Sequence, residues 1–128
     1  MRILVDTNIF LDVLMARPKW QAKSREVINW CDQNPGHGWI AWHTLSNLYY
    51  IGARTVGKEA AQAQIEKIIE VFEVAAGNTT SAQRALSLGM PDFEDALQVA
   101  CAQSCSAEAI ITRNLKDYKG SPIKALSP

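Results

Sequence analysis

The chain reads as an α/β protein, a small, mostly parallel sheet flanked by helices in a three-layer α/β/α arrangement. Two observations predict it. Short β-branched runs alternate with stretches of helical periodicity, which implies parallel strands with helices returning over both faces. Apolar residues make up 48% and charged ones 20%, as in an ordinary folded domain rather than a disordered chain. Its 128 residues suffice for a sizeable core. Residues 1–128 read as one domain, without repeat, linker or low-complexity tract.

The elements follow in order. "RILV" (2–5) is a buried strand ended by "DTN", and "IFLDVLMA" (9–16) is a helix that stops before Arg17-Pro18. A longer helix covers Gln21 to Gln33, with Val27, Ile28 and Cys31 on its apolar face, until "NPGHG" breaks it. "WIAW" (39–42) is a short strand, followed by a helix in "HTLSNLYYIGAR" with Thr44 as its expected cap. "GKEAAQAQIEKIIEVF" is an amphipathic helix and "FEVAA" (72–76) a short strand. "NTTSAQRALSLG" is a capped helix closed by Gly89, and "DFEDALQVACAQS" is another helix. "AIIT" (109–112) is a strand, and "IKAL" near the end is a last edge strand.

Composition narrows the function classes. Thirteen basic residues balance thirteen acidic ones, so nucleic acid or an anionic membrane is not drawn by net charge, and any such binding needs a local patch. Cys31, Cys101 and Cys105 read as buried free thiols of a reducing cytosol, and two histidines remote from them argue against zinc. "MRILVDTN" meets a charge too early for a signal peptide, and no apolar run spans a bilayer. A cytoplasmic protein without membrane attachment is expected.

Residues 91–101, "PDFEDALQVAC", crowd Asp92, Glu94 and Asp95 into one helix start. Helix capping by Asp92, with Asp95 in a capping-box-like position and Glu94 facing the positive dipole end, is one account. Topology offers another. In a strand–helix–strand unit the helix runs back antiparallel, so a helix feeding a strand begins at the edge where strand carboxyl ends lie. That edge collects Asp92 and Asp95, and also Asp6 after the first strand. Thr112, Arg113 and Asn114 join them after the late strand, as do His43, Thr44 and Asn47 from the helix after "WIAW". Ligands of open α/β sheets bind in this crevice.

Asp6, Asp92, Asp95 and Asp117, with Asn47 and Asn114, would then share one rim. Clustered carboxylates call for a cation, and oxygen donors without His or Cys favour Mg²⁺ or Mn²⁺. Taken singly, Asp6 also reads as a cap after a strand, Asp117 as a solvated loop acid and Asp12 as an exposed helix residue. Arg113, Lys116 and Lys119 can hold phosphates or simply be solvated. Trp20, Trp39 and Trp42 can stack bases or pack. Leu48, Tyr49 and Ile51 can serve the core or a homodimer surface.

"ILVDTNIFLD", "DFEDALQVACA" and "AIITRNLKDY", in this order across nearly the whole chain, resemble the PIN domain family. The resemblance implies a compact α/β nuclease with an acidic, Mg²⁺- or Mn²⁺-dependent site. It implies a metal-dependent endoribonuclease, possible toxin half (VapC-like) of a toxin–antitoxin pair, with RNA as substrate and an antitoxin protein as partner. By it, Asp6 matches the first acid, Asp95 the acid of the late helix, and Thr112, Asn114 and Asp117 the final motif. Asn47 stands where the family usually has Glu, and it supplies a carbonyl but no charge; Asp92 can supply part of that charge. A second reading is therefore a catalytically weak PIN module that binds RNA or a protein. A third, a phosphoryl hydrolase resembling haloacid dehalogenases, ranks lower because Asn8 replaces the Asp that chemistry wants. On this reading, Asp6→Asn and Asp95→Asn should each abolish cleavage and leave metal-free melting unchanged or higher.

Overall fold

Along the first strand, β1 (Ile3–Val5), alternate side chains enter different cores, and this period of two sets the layers. Ile3 and Val5 pack with Ile9 and Phe10 of α1 (Thr7–Leu14), Cys31 of α2 (Gln21–Gln33), Leu48 of α3 (Trp42–Val56) and Ile68 of α4 (Lys58–Val71). Leu4 packs on the opposite side, with Val99, Cys101 and Ala102 of α6 (Phe93–Ser104) and with Tyr118. The shorter α5 (Thr79–Ser87) lies on α6 through Ala85, Ala96 and Ala100, residues small enough for close approach.

The remaining strands are β2 (Gly38–Ala41), β3 (Glu73–Ala75), β4 (Ala109–Ile111) and β5 (Lys124–Leu126). They form one fully parallel five-stranded sheet in the order β3-β2-β1-β4-β5. The computed structural model describes all of residues 1–128, and in it the three layers expected from the sequence are present. The edge strand in "IKAL" is also found, paired with β4. No helix is long and apolar enough to cross a membrane.

Several boundaries differ from the sequence reading. α1 starts at Thr7, because the Asp6 side chain caps it, and not at Ile9. α3 starts at Trp42 after Ala41, without a side-chain cap; Thr44 lies inside the helix and is fully buried. α3 and α4 meet at Gly57, whose φ of 92° and ψ of 161° fall in a region open essentially to glycine alone. All three cysteines are buried and unpaired, as expected, and burial pushes the Cys31 thiol up to about 12.

One expectation is overturned, and several open readings are decided. Asp12 is not an exposed helix residue: it is fully buried, and its carboxylate accepts from Arg113, Arg17 and Ser24. Arg113 is therefore not free for phosphates. It is committed to that ion pair, and its guanidinium lies 4.5 Å from the Trp20 ring centre. Trp20 is covered in turn, with Lys19 over its ring as well. Leu48 belongs to the core rather than a dimer surface, whereas Tyr50 beside it is 62% exposed.

Candidate acidic site

β1 and β4 are neighbours with Val5 opposite Ile111, so the residues that follow them, Asp6 and Thr112, emerge side by side at the carboxyl edge. Asp6 is held tightly there. Its Oδ2 accepts from Thr112 Oγ1 at 2.9 Å, Tyr118 OH at 3.0 Å and Asn8 Nδ2 at 3.2 Å. Its Oδ1 accepts from the Thr7 N–H at 2.7 Å. Four donors satisfy a carboxylate that is only 6% exposed. Both sequence readings of Asp6 thus hold: it caps α1, and it stands at the rim.

Asn8 and Thr112 also bind each other, and Asn8 Oδ1 accepts from the Arg113 N–H at 3.2 Å. Thr112 Oγ1 accepts from the Asn114 N–H at 3.1 Å. The Asn114 side chain itself is exposed and makes no hydrogen bond, so Asn114 enters the site through its backbone. Asp117 lies half-buried in the short 3₁₀ turn Leu115–Tyr118.

α6 brings the second group of acids. Asp92 is its N-cap: Oδ1 accepts from the Glu94 N–H at 2.7 Å and the Asp95 N–H at 3.4 Å. The capping account is correct for Asp92, although Asp95 does not reach back to close a reciprocal box. Asp95 is half-buried. Its carboxyl is pushed up to about 6 by burial, then by Asp6, Asp92, Asp117 and Glu94. The same surroundings act on the Tyr118 hydroxyl, which burial, Asp6, Asp95 and Asp117 all push upward.

α3 closes the rim. Asn47 Nδ2 donates to Glu94 Oε1 at 2.8 Å, linking the two helices. One turn earlier, His43 has a buried Nε2 without a partner; burial lowers its pKa, against the opposing pull of Glu94 and Asp6. Beneath the rim, Gln98 Nε2 donates to Thr44 Oγ1 at 2.9 Å, and Thr44 and Thr7 hydroxyls meet at 3.0 Å.

The structure brings Asp6, Asp92, Asp95, Asp117, Thr112 and Asn47 to one edge, as the topology argument expects. The sequence reading missed three participants. Asn8 and Tyr118 hold Asp6, and Glu94 receives Asn47. Glu94 was legible only as a dipole partner, and nothing in "KDY" distinguishes a core tyrosine from one aimed at a carboxylate.

The only ion pairs in the protein are those of Asp12 with Arg17 and Arg113. No Lys, Arg or His therefore pairs with Asp6, Asp92, Glu94, Asp95 or Asp117. Nor do three Asp, Glu, His or Cys side chains close on one point tightly enough to cage an ion. The donor set is nonetheless all oxygen and uncompensated, which suits a hard divalent cation that keeps part of its water shell.

A parallel α/β/α fold with acids at the carboxyl edge of β1 and β4 defines the class. The chain belongs to the PIN domain family, whose sequence model matches residues 2–116. It is similar in structure to VapBC2 from Rickettsia felis, solved bound to a promoter DNA fragment, with a TM-score of 0.76 and 18% identity over 99% of this chain and 98% of that one. VapBC-1 from nontypeable Haemophilus influenzae matches with a TM-score of 0.72 and 20% identity over 99% and 98%. Mycobacterium tuberculosis VapC20, a sarcin-ricin loop cleaving toxin, matches with a TM-score of 0.66 and 17% identity over 84% and 86%. At these identities the likeness is one of fold. No curated protein is significantly similar in sequence.

Proposed function

We propose that this protein is a metal-dependent endoribonuclease and the toxin of a toxin–antitoxin pair. The observation that carries the reading is the uncompensated negative rim: five carboxylates at the crevice edge of a parallel sheet, none paired with a basic side chain. The family, and the VapBC complexes among its structural relatives, support both the nuclease and the antitoxin partner.

Asp6 and Asp95 are the principal ligands for Mg²⁺ or Mn²⁺ in this reading, with Asp117 as a further acid of the set. When bound, the ion activates a water and offsets charge on the phosphodiester. Thr112, Asn8 and Tyr118 fix Asp6, leaving Oδ1 with only one donor and hence a lone pair free. Asn114 braces the loop through its backbone. Lys116 and Lys119 are exposed beside Asp117 and draw RNA phosphates in place of the committed Arg113.

The test is cleavage of RNA with Mn²⁺ and in EDTA, beside calorimetric titration of Mn²⁺ into the protein. Products with 5′-phosphate ends, formed only with the ion, are expected. Cleavage undiminished in EDTA, or 2′,3′-cyclic phosphate ends, would overturn the mechanism. Asn47 and Asn114, neutral where charge would help, favour a second reading as an RNA- or partner-binding module. That reading expects RNA binding without divalent-ion binding or cleavage.

A further inference from the structure

Four carboxylates surround Asp95, but they are not equivalent. Asp92 belongs to the helix end: its Oδ1 is held by two backbone N–H groups of its own first turn. Glu94 is different. Its carboxylate leaves the helix and meets Asn47 of the facing helix, Nδ2 to Oε1 at 2.8 Å, 47 residues away in sequence. A glutamate on an exposed first turn has no reason to cross a gap between helices for its own helix's benefit. The amide of Asn47 holds one oxygen and leaves the other free.

We propose that Glu94, steered by the Asn47 amide across the gap between α3 and α6, is a cation-facing carboxylate of the rim, and that Asn47 is a positioning residue acting through it. This rests on the metal-dependent reading above. It assigns the charge that α3 lacks to α6, and it relieves Asp92 of any role beyond capping. An amide donor opposite a carboxylate also means that the two side chains can exchange identities and preserve the pair.

Mn²⁺ titration by calorimetry on the full chain tests it, with four variants. Glu94→Gln should weaken binding by about tenfold, the loss typical of removing a group that holds or orients a metal site. Asp92→Asn removes the same charge from the rim yet keeps a good cap, and should change affinity far less. The exchange variant Asn47→Glu/Glu94→Gln should recover most of the loss, because the carboxylate then comes from α3 and the amide from α6. Asp95→Asn should lose binding whichever of the two supplies the charge. Equal losses for Glu94→Gln and Asp92→Asn would reduce Glu94 to a general charge and overturn the inference. Parental affinity in Glu94→Gln alongside lost binding in Asp95→Asn would overturn it while leaving the metal site intact. Parental affinity in Asp95→Asn as well would overturn the metal reading itself.

Discussion

Arg113 grips Asp12 at two points across 101 residues of sequence, Nε to Oδ2 at 2.7 Å and a terminal nitrogen to Oδ1 at 3.0 Å. The carboxylate is fully buried, and the arginine is backed by the Trp20 ring. This fork ties α1 to the loop between Thr112 and Asn114, the loop that anchors Asp6. Arg113→Ala should therefore destabilise the fold by about 3–5 kcal/mol, because it leaves a buried charge without its main partner. The double variant Asp12→Leu/Arg113→Met removes both charges and should cost much less. Urea unfolding of the single and double variants measures the difference. A single variant within experimental error of the parent would remove the fork from the list of stabilising contacts.

The contrast between Asp12 and Asp95 explains what could be read from the sequence. Strand–helix alternation and the edge argument placed Asp6, Asp92, Asp95 and Thr112 together, because parallel topology fixes which residues share an edge. Side-chain pairing does not follow from topology. Asp12 carries the same local signal as any helix-surface acid, and only the tertiary approach of Arg113 makes it a core residue. Glu94 was hidden for the same reason: its first-turn position already had a local explanation in the helix dipole. Thr44, a plausible cap by type, was instead needed inside α3 to receive Gln98.

Gly38 lies where β2 packs tightly against α2. A Cβ there would stand 2.6 Å from Cys31 Sγ and 2.7 Å from Cys31 Cβ, with Phe72 at 3.1 Å. Both neighbours lie in the core, so neither can swing into solvent. Gly38→Ala should cost about 1–3 kcal/mol by overpacking, seen as a lower urea midpoint without a change in slope. A midpoint at or above the parent's would show that α2 shifts freely.

Asp95 should make metal-free stability depend on pH in an unusual sense. Folding raises its pKa from 3.8 to about 6, so the folded state holds the proton more tightly than the unfolded one. Its contribution is favourable at low pH and is lost as pH rises through about 6. In EDTA, the melting temperature of Asp95→Asn should exceed the parent's most near neutral pH, and the gap should close between about 6 and 3.8. Scanning calorimetry across that window checks the sign. A gap that widens on acidification would mean that Asp95 is stabilised as the anion.

Asp6→Asn and Asp95→Asn look alike in the sequence, and both were expected to spare the fold. Their hydrogen bonds separate them. Every group around the Asp6 carboxylate is placed as a donor: the Thr7 N–H on Oδ1, and Thr112, Tyr118 and Asn8 on Oδ2. An asparagine offers one oxygen and must turn its NH₂ toward the rest. The Tyr118 hydroxyl can rotate to accept it, but Thr112 Oγ1 already accepts from the Asn8 amide and the Asn114 N–H, and the Thr7 N–H and the Asn8 amide, as oriented here, present hydrogens. Asp6→Asn should thus lose about 1–3 kcal/mol, the range for a buried polar group left without its partner. Asp95 has no such set of donors; it has four neighbouring carboxylates, and neutralising it removes their repulsion. In EDTA near neutral pH, Asp95→Asn should therefore melt above the parent and Asp6→Asn below it, although both should abolish cleavage. Parallel melts decide the matter: a rise in both variants would mean that repulsion, and not the donor shell, governs Asp6.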